Sequence, residues 1–351
     1  MKKAVLFFLL FSFSVAAFGQ EKPVTQAEYV KMLYALDKDF STRGAVVDAL
    51  RQRGIDFVVT DGLRSLTRSK GRNDEELKRA FEEAGRRRSG GVVAKPLSAS
   101  EASAVIAQAR SKTLEAVAEM PDFVVKQQIQ RSVAYAGTGN YHNLDRLVVA
   151  VSYKTSGEEM YKVLSLNGTI QTNPEPKRTY EEVGGTSSTG EFVSILSTIF
   201  KPESDTRFQY VDSDVIRGRK ALMFDFDVEK DKAKQSITSA AVTTVSTITG
   251  MRGRIWIDGE NFRVLRIDSE ATEIPDTFPV RTARRQIDYD WTTISGDKYL
   301  LPLVSDVRLT TRESKSSIET RNVIRFKDYQ KYGTDVTIVE EDTVPAKDEK
   351  P

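Results

Sequence analysis

The stretch from Gly253 to Asp268, GRIWIDGENFRVLRID, changes character at every second position. Ile255 and Ile257, then Leu265 and Ile267, fall on alternate positions, with Arg254, Asp258, Arg266 and Asp268 beside them. Asp258-Gly259-Glu260-Asn261 supplies the turn, so the pattern predicts a β-hairpin with those four apolar residues on one buried face. Most of the chain beyond residue 120 repeats this period of two. It predicts strands over 123–135, 144–153, 160–166, 208–211, 221–228, 236–249, 286–291, 299–309, 318–326 and 335–339, with short turns such as Asn167-Gly168 between them. Consecutive strands joined this way make an antiparallel sheet.

Two helical segments accompany the strands. Ser98 and Glu101 form a capping box for a helix running to about Glu119, where Pro121 stops it. Ser188 and Glu191 form a second box, after which Phe192, Ile195, Leu196, Ile199 and Phe200 recur at helical spacing before Pro202. Such a stripe needs an apolar partner. The strands supply it through Leu222, Phe224, Phe226 and Val228, through Ile287, Tyr289 and Trp291, and through Leu301, Leu303, Val307 and Leu309.

Nearer the start the period is helical: Tyr29, Met32 and Leu33; Val46, Val47 and Leu50; Leu63 and Leu66; Leu77 and Phe81. Asn73 opens the last of these helices and Gly85 closes it. The run RRRSGGVVAKP over 86–96 reads as a linker. The chain therefore divides into a signal peptide (1–19), a small helical module (20–85), a linker (86–97), a sheet domain with covering helices (98–340) and a charged tail (341–351).

Lys2 and Lys3, the apolar run from Ala4 to Val15 and the small residues around Ala17 and Gly19 carry the signal-peptide reading. No later segment is long and apolar enough to span a bilayer, so no integral membrane segment is expected after cleavage. The chain has no cysteine, which excludes a lipobox, a disulfide and a thiolate nucleophile, and suits a bacterial envelope, periplasmic or extracellular. The formal charge is +2, and removing Lys2 and Lys3 leaves the mature chain neutral, so nucleic acid is not an expected partner.

Candidate chemistry is sparse. GGTSSTGEF (184–192) leads into a helix start but lacks the lysine and spacing of a phosphate-binding loop. His142 is the only histidine, which excludes a histidine-rich metal site, and no nucleophile elbow accompanies it. Asp225 with Asp227, and Asp288 with Asp290, share strand faces, with Arg254, Arg263, Arg266, Arg284 and Arg285 available as cross-strand partners. These read as surface ion pairs, and no enzyme activity, cofactor or metal is expected.

MPDFVVKQQIQRS, DRLVVAVSYKTSGEEMYKVLSLNG, GRIWIDGENFRVLRIDSEATEIPDTFPV and YLLPLVSDVRL resemble, over about 115–340, uncharacterised exported proteins of soil bacteria such as acidobacteria. The order of strands, the IWID turn and the strand ending in YLLP also resemble the periplasmic lipoprotein-carrier fold, shared with outer-membrane lipoprotein receptors and an envelope-stress regulator domain. That resemblance implies an α+β fold: a curved antiparallel half-barrel with helices on its concave face, preceded here by the helical module. It implies lipoprotein sorting or lipid binding, with an acylated or other hydrophobic ligand held between sheet and helices. The ligand would touch Phe192, Ile195, Leu196, Ile199, Phe200, Leu222, Phe224, Phe226, Tyr289 and Trp291. If the helices instead fill that space, the chain is a structural or partner-binding envelope protein, with the helical module as a possible docking surface. A carboxylate-based hydrolase is the third reading.

Overall fold

The computed structural model describes residues 22–91, 97–170, 185–239, 244–312 and 317–332. The expected signal peptide, the strand over 335–339 and the charged tail lie outside the described residues. The chain divides into two compact units, with the boundary between Arg88 and Ser89.

The first unit is helical: α1 (Gln26–Lys38), α2 (Arg43–Arg53), α3 (Asp61–Lys70) and α4 (Glu75–Gly90). Thr25 and Thr60 cap α1 and α3, their side chains accepting from Glu28 N and Leu63 N. Tyr29 stacks on Phe81 and Phe57, with ring centroids 4.6 and 5.8 Å away. The extended piece between α2 and α3 adds a parallel bridge from Ile55 to Val24. One expectation fails here: α4 passes through Gly85 and continues to Gly90, so residues 86–90 are helix and not linker, while 92–96 lie outside the described residues. A Cβ on Gly85 would sit 2.6 Å from Val59 Cγ2, so this glycine permits close packing and does not end the helix.

The second unit begins with α5 (Ala99–Ala118), whose Ser98–Glu101 capping box is fully formed. Then come β1 (Phe123–Tyr135), β2 (His142–Tyr153), β3 (Glu159–Leu166), β4 (Thr169–Ile170) and α6 (Ser194–Phe200). β5 (Arg207–Ile216), β6 (Arg219–Val228), α7 (Lys230–Ala233), β7 (Gln235–Ser239) and β8 (Val245–Asp258) follow. β9 (Val264–Thr272), β10 (Val280–Ile294), β11 (Asp297–Arg312) and β12 (Ser317–Lys331) complete it. The segment 236–249, expected as one strand, is two: β7 pairs antiparallel with the first part of β8.

The strands form one open antiparallel sheet in the order β4-β3-β2-β1-β12-β11-β10-β9-β8-β6-β5, a half-barrel with α5 and α6 on its concave face. One row of cross-strand partners shows how that face is built: Leu166, Leu147, Ile129, Ile324, Ser305, Ile287, Ile267, Ile255, Phe224 and Tyr210. Every strand in the row contributes one inward side chain, and only Ser305 and the hydroxyl of Tyr210 interrupt the hydrocarbon. Ser305 is buried, and its Oγ has no hydrogen-bond partner.

Of the register shifts in the sheet, two move residues that the sequence placed on the concave face. Between Trp256 and Ile257 the register slips, so that Ile257 faces Val264 and Trp256 faces Arg266. Leu265 is the extra residue. It leaves the concave set, where Val264 takes its place, and packs on the opposite face with Met223, Ala221 and Trp256. Trp256 is buried there, donating from Nε1 to Asp214 Oδ2 at 2.7 Å. The second bulge sets Asp288 opposite Val304 but Tyr289 opposite Pro302, and the skipped Leu303 is 38% exposed instead of facing inward. On the charged positions, Arg254 pairs with Asp225 and Arg266 with Asp288, each at 2.7 Å across neighbouring strands.

Candidate functional site: the polar end of the concave face

Most of the residues expected to bind a hydrophobic ligand do come together, but as packed core. Ile195, Leu196, Ile199, Phe200, Phe224, Phe226 and Tyr289 share one cluster, with Leu222 packed partly buried against it. Phe192 belongs to a second cluster and meets Phe123 and Phe326 edge-on, with centroids 5.2 and 5.5 Å away. Trp291 does not join them. It is 37% exposed at the end of β10, with the Arg263 guanidinium 5.6 Å from its ring.

The helix expected to carry Phe192 is also shorter than its sequence signature and excludes that residue. α6 starts at Ser194 without a side-chain cap, and Ser188 donates its hydroxyl to the Glu191 carboxylate instead of capping a backbone N–H. The residues before it, from Gly185 to Val193, run as a strap across the sheet.

The strap follows a second, polar row of cross-strand partners: Asp145, Arg131, Asn322, Val307, Arg285, Ser269, Gly253 and Phe226. Gly185 lies against the Arg131 guanidinium, which is itself held by Asp145 at 2.6 Å. Asn322 donates to Thr186 O at 2.5 Å, and the Thr186 and Thr320 hydroxyls are 2.7 Å apart. Arg285 donates to Thr189 O at 2.9 Å, and Tyr289 donates to Glu191 O at 3.2 Å. From β3, Glu159 accepts from Gly190 N at 3.1 Å. The strap is thus bound by side chains of β3, β10 and β12, and four of these bonds satisfy backbone groups that the sheet ladder cannot reach.

Two acidic residues approach each other here, Glu191 of the strap and Glu159 of β3. Glu191 is wholly buried, with Arg285 Nη1 3.7 Å from its Oε1, and its Oε2 has no hydrogen-bond partner. Burial raises the Glu159 carboxyl above the usual 4.5, and the Glu191 charge adds to this, while the Tyr161 hydroxyl, Gly190 N–H and Arg285 oppose it. Burial also pushes the Tyr161, Tyr289 and Tyr329 hydroxyls well above their ordinary range, so all three stay protonated.

Glu159 therefore binds its proton more tightly in the folded chain than in the unfolded one. Its contribution to stability is complete below the unfolded value and is lost as pH rises through the raised folded value. In thermal melts at successive pH values upward from 4.5, the Tm of Glu159→Gln is expected to gain on that of the unaltered protein, because glutamine removes the proton that must be given up. A constant Tm difference across that range would show that Glu159 carries no such proton.

Beside the strap lies an open groove of about 300 Å³. Ser187, Ser188 and Thr189 form one wall and β7, from Gln235 to Thr238, the other. The floor is sheet: Ser269, Ala271, Ala283, Arg284, Arg285, Val307 and Leu309. Gln235 Oε1 is buried on this wall without a hydrogen-bond partner. Phe278, in the proline-bearing loop before β10, packs with Ile237 and Val280 behind it. A larger open depression, about 730 Å³, is edged by the charged residues Glu229, Lys230, Asp231, Lys234 and Glu273 with Ile248. Neither space is lined by α5 or α6.

The sequence contained a signal for part of this site. Glu159 and Tyr161 share parity with buried Val163, and Arg285 shares parity with Ile287 and Tyr289, so alternation alone aims all three inward. Arg285 was instead expected in a surface ion pair, and Glu191 in a helix cap. No local pattern pointed to Gln235.

No protein-family model matches the chain, and no curated protein does. Among solved structures, the chain is similar to a DUF1329 family protein from Desulfovibrio piger, with 9% identity, 66% of this chain and 94% of that one covered, and a TM-score of 0.27. It is also similar to MucB in complex with MucA. The Pseudomonas aeruginosa MucA/MucB complex aligns at 8% identity over 62% of this chain and 94% of the other, with a TM-score of 0.17. A second complex, of MucB with MucA(peri), aligns at 7% identity over 63% and 93%, again with a TM-score of 0.17.

Proposed function

We propose that this chain is an exported, non-catalytic envelope protein that binds through the polar end of its concave face and whose apolar interior is a packed core. The observation that carries the reading is the contrast between the two ends of that face. Where α5 and α6 lie, Phe200, Ile199 and Phe224 are buried against one another, whereas the groove beside the strap is open and mixes hydroxyls, an amide and two arginines with the apolar side chains of Ile237, Val307 and Leu309. An acyl chain between helix and sheet would have to displace α6 together with the buried ring of Phe192. The non-catalytic part is supported by Glu159, which holds the strap at Gly190, and Glu191, which accepts from Ser188 within it: neither lines the groove. Export rests on the sequence of residues 1–19, and no described helix is long and apolar enough to cross a membrane. The helical module adds a second candidate partner surface, where Tyr34 and Val58 are exposed.

Native mass spectrometry with organic extraction tests this on protein purified from a bacterial periplasm without detergent. The expected spectrum shows no stoichiometric lipid, and incubation with phosphatidylethanolamine–phosphatidylglycerol vesicles leaves it unchanged. A lipid retained at one per chain would overturn the packed-core reading and restore the carrier one.

A further inference from the structure

The convex face of the sheet is built differently in its two halves. Across β6, β8, β9 and β10 its charges stand as cross-strand ion pairs: Arg254 with Asp225, Arg266 with Asp288 and Arg284 with Glu270, at 2.7, 2.7 and 2.8 Å. Opposite charges on neighbouring strands stabilise a sheet, and like charges facing each other destabilise it. The other half lacks this alternation. On β3, β2, β1 and β12 the positions between the buried Val163, Val149, Ile129 and Ile324 and their inward neighbours point outward. Over 160–162, 146–152, 124–130 and 321–327 those outward positions hold Lys162, Arg146, Lys126, Arg321, Arg325 and Lys327, and no carboxylate.

Register brings these cations together. Lys162, Ala150, Lys126 and Lys327 are successive cross-strand partners, so three ammonium groups share one row, and Arg325 lies in the next row with Val148 and Gln128. Asp328, at the bulge after Lys327, takes Lys126 at 3.0 Å, and Asp306 of β11 takes Arg321 at 2.6 Å. Lys162, Arg146 and Arg325 are exposed and form no ion pair among the described residues. Between the cations lie half-buried Val148, Ala150 and Val323, and Met160 is 41% exposed beside Lys162.

A small anion would need donors that converge on it. Side chains standing outward from four strands, each about 4.8 Å from the next, do not converge, and they suit an array of anions lying in a plane. An exported chain meets such an array in the phospholipid headgroups of the envelope. We infer that this half of the convex face rests on an anionic phospholipid surface, with the cations against headgroup phosphates and Met160 against the apolar layer beneath them. The contact is peripheral, on the face opposite the core, and takes no lipid into the interior.

The full mature chain would be co-sedimented with vesicles of phosphatidylcholine alone and of phosphatidylcholine mixed with phosphatidylglycerol. Binding is expected only to the mixed vesicles, and it should be lost when NaCl rises from about 0.1 to about 1 M, as the Debye length falls from about 10 to about 3 Å. Lys162→Gln and Arg325→Gln should each weaken it about fivefold with Tm unchanged. Lys220→Gln with Lys298→Gln removes the same charge from exposed positions on β6 and β11 and should leave binding as it was. Equal weakening by this control pair would assign the binding to net charge and overturn the inference. Binding to phosphatidylcholine alone, no binding to either vesicle, or displacement from the mixed vesicles by glycerol 3-phosphate at the same ionic strength would overturn it as well.

Discussion

Phe192→Ala is expected to lower the stability of the sheet domain by about 3–5 kcal/mol, read as a shift in the urea midpoint at constant slope. Phe192 is 1% exposed and sits where three rings converge: Phe123 and Phe326 meet it edge-on, and Tyr153 lies 6.1 Å away. Removing the ring loses its transfer free energy and leaves a cavity between parts of the fold far apart in sequence. Phe123 and Phe326 lie on paired strands, and Tyr153 lies opposite Phe123 on β2, so none of the three can move in without breaking a ladder. The same residue as part of a detachable lid would behave differently, since a lid that opens to admit a ligand cannot hold the core together. A loss below about 1 kcal/mol would place Phe192 in that class and reopen the interior as a binding space. Phe200→Ala, in the neighbouring cluster, provides an independent repeat of the experiment.

Gly253→Ala is expected to be the most damaging one-carbon addition in the sheet, with a loss of about 3 kcal/mol or a failure to accumulate folded protein. A Cβ at this position would lie 2.0 Å from the carbonyl oxygen of Asp268 and 2.8 Å from Ser269 Cα, and these are backbone atoms that no rotamer change can clear. Gly253 stands opposite both Ser269 on β9 and Phe226 on β6, in the polar row under the strap, so either strand would have to give way. Gly259→Ala in the adjacent turn is the control. Its Cβ would be 3.5 Å from the nearest atom, Lys220 O, an ordinary contact, and its effect should stay within about 0.5 kcal/mol. Thermal and urea unfolding of the two variants side by side would separate close backbone approach from a general intolerance of the hairpin. Equal effects would remove the explanation.

The two capping boxes show where local reading holds and where it stops. Ser98-Ala99-Ser100-Glu101 and Ser188-Thr189-Gly190-Glu191 carry the same signature, and the first forms the predicted cap. In the second, Glu191 lies wholly buried next to Arg285, Tyr289 holds its backbone carbonyl, and Ser188 is drawn to its carboxylate, so the helix starts at Ser194. Partners nearly a hundred residues away outweighed a cap contributing about 1 kcal/mol. The hairpin from Gly253 to Asp268 divides in the same way. Ile255, Ile257 and Ile267 face inward as their spacing requires, but a single extra residue sends Leu265 to the other face beside Trp256.

The sequence by itself determined the class of the fold: a period of 3.6 before residue 85, a period of two after residue 120, and enough inward apolar residues to cover a curved sheet with helices. These are local properties, each set by neighbours within a few positions along the chain. Only the tertiary structure decided that Ile195, Ile199 and Phe200 pack against Phe224 and Tyr289, that bulges fall at Leu265 and Leu303, and that a strap ties Glu159, Glu191 and Arg285 beside an open groove. Packing volume, register slips and the pairing of buried charges all depend on which distant residues meet, and alternation along a strand carries no information about the strand that will lie beside it.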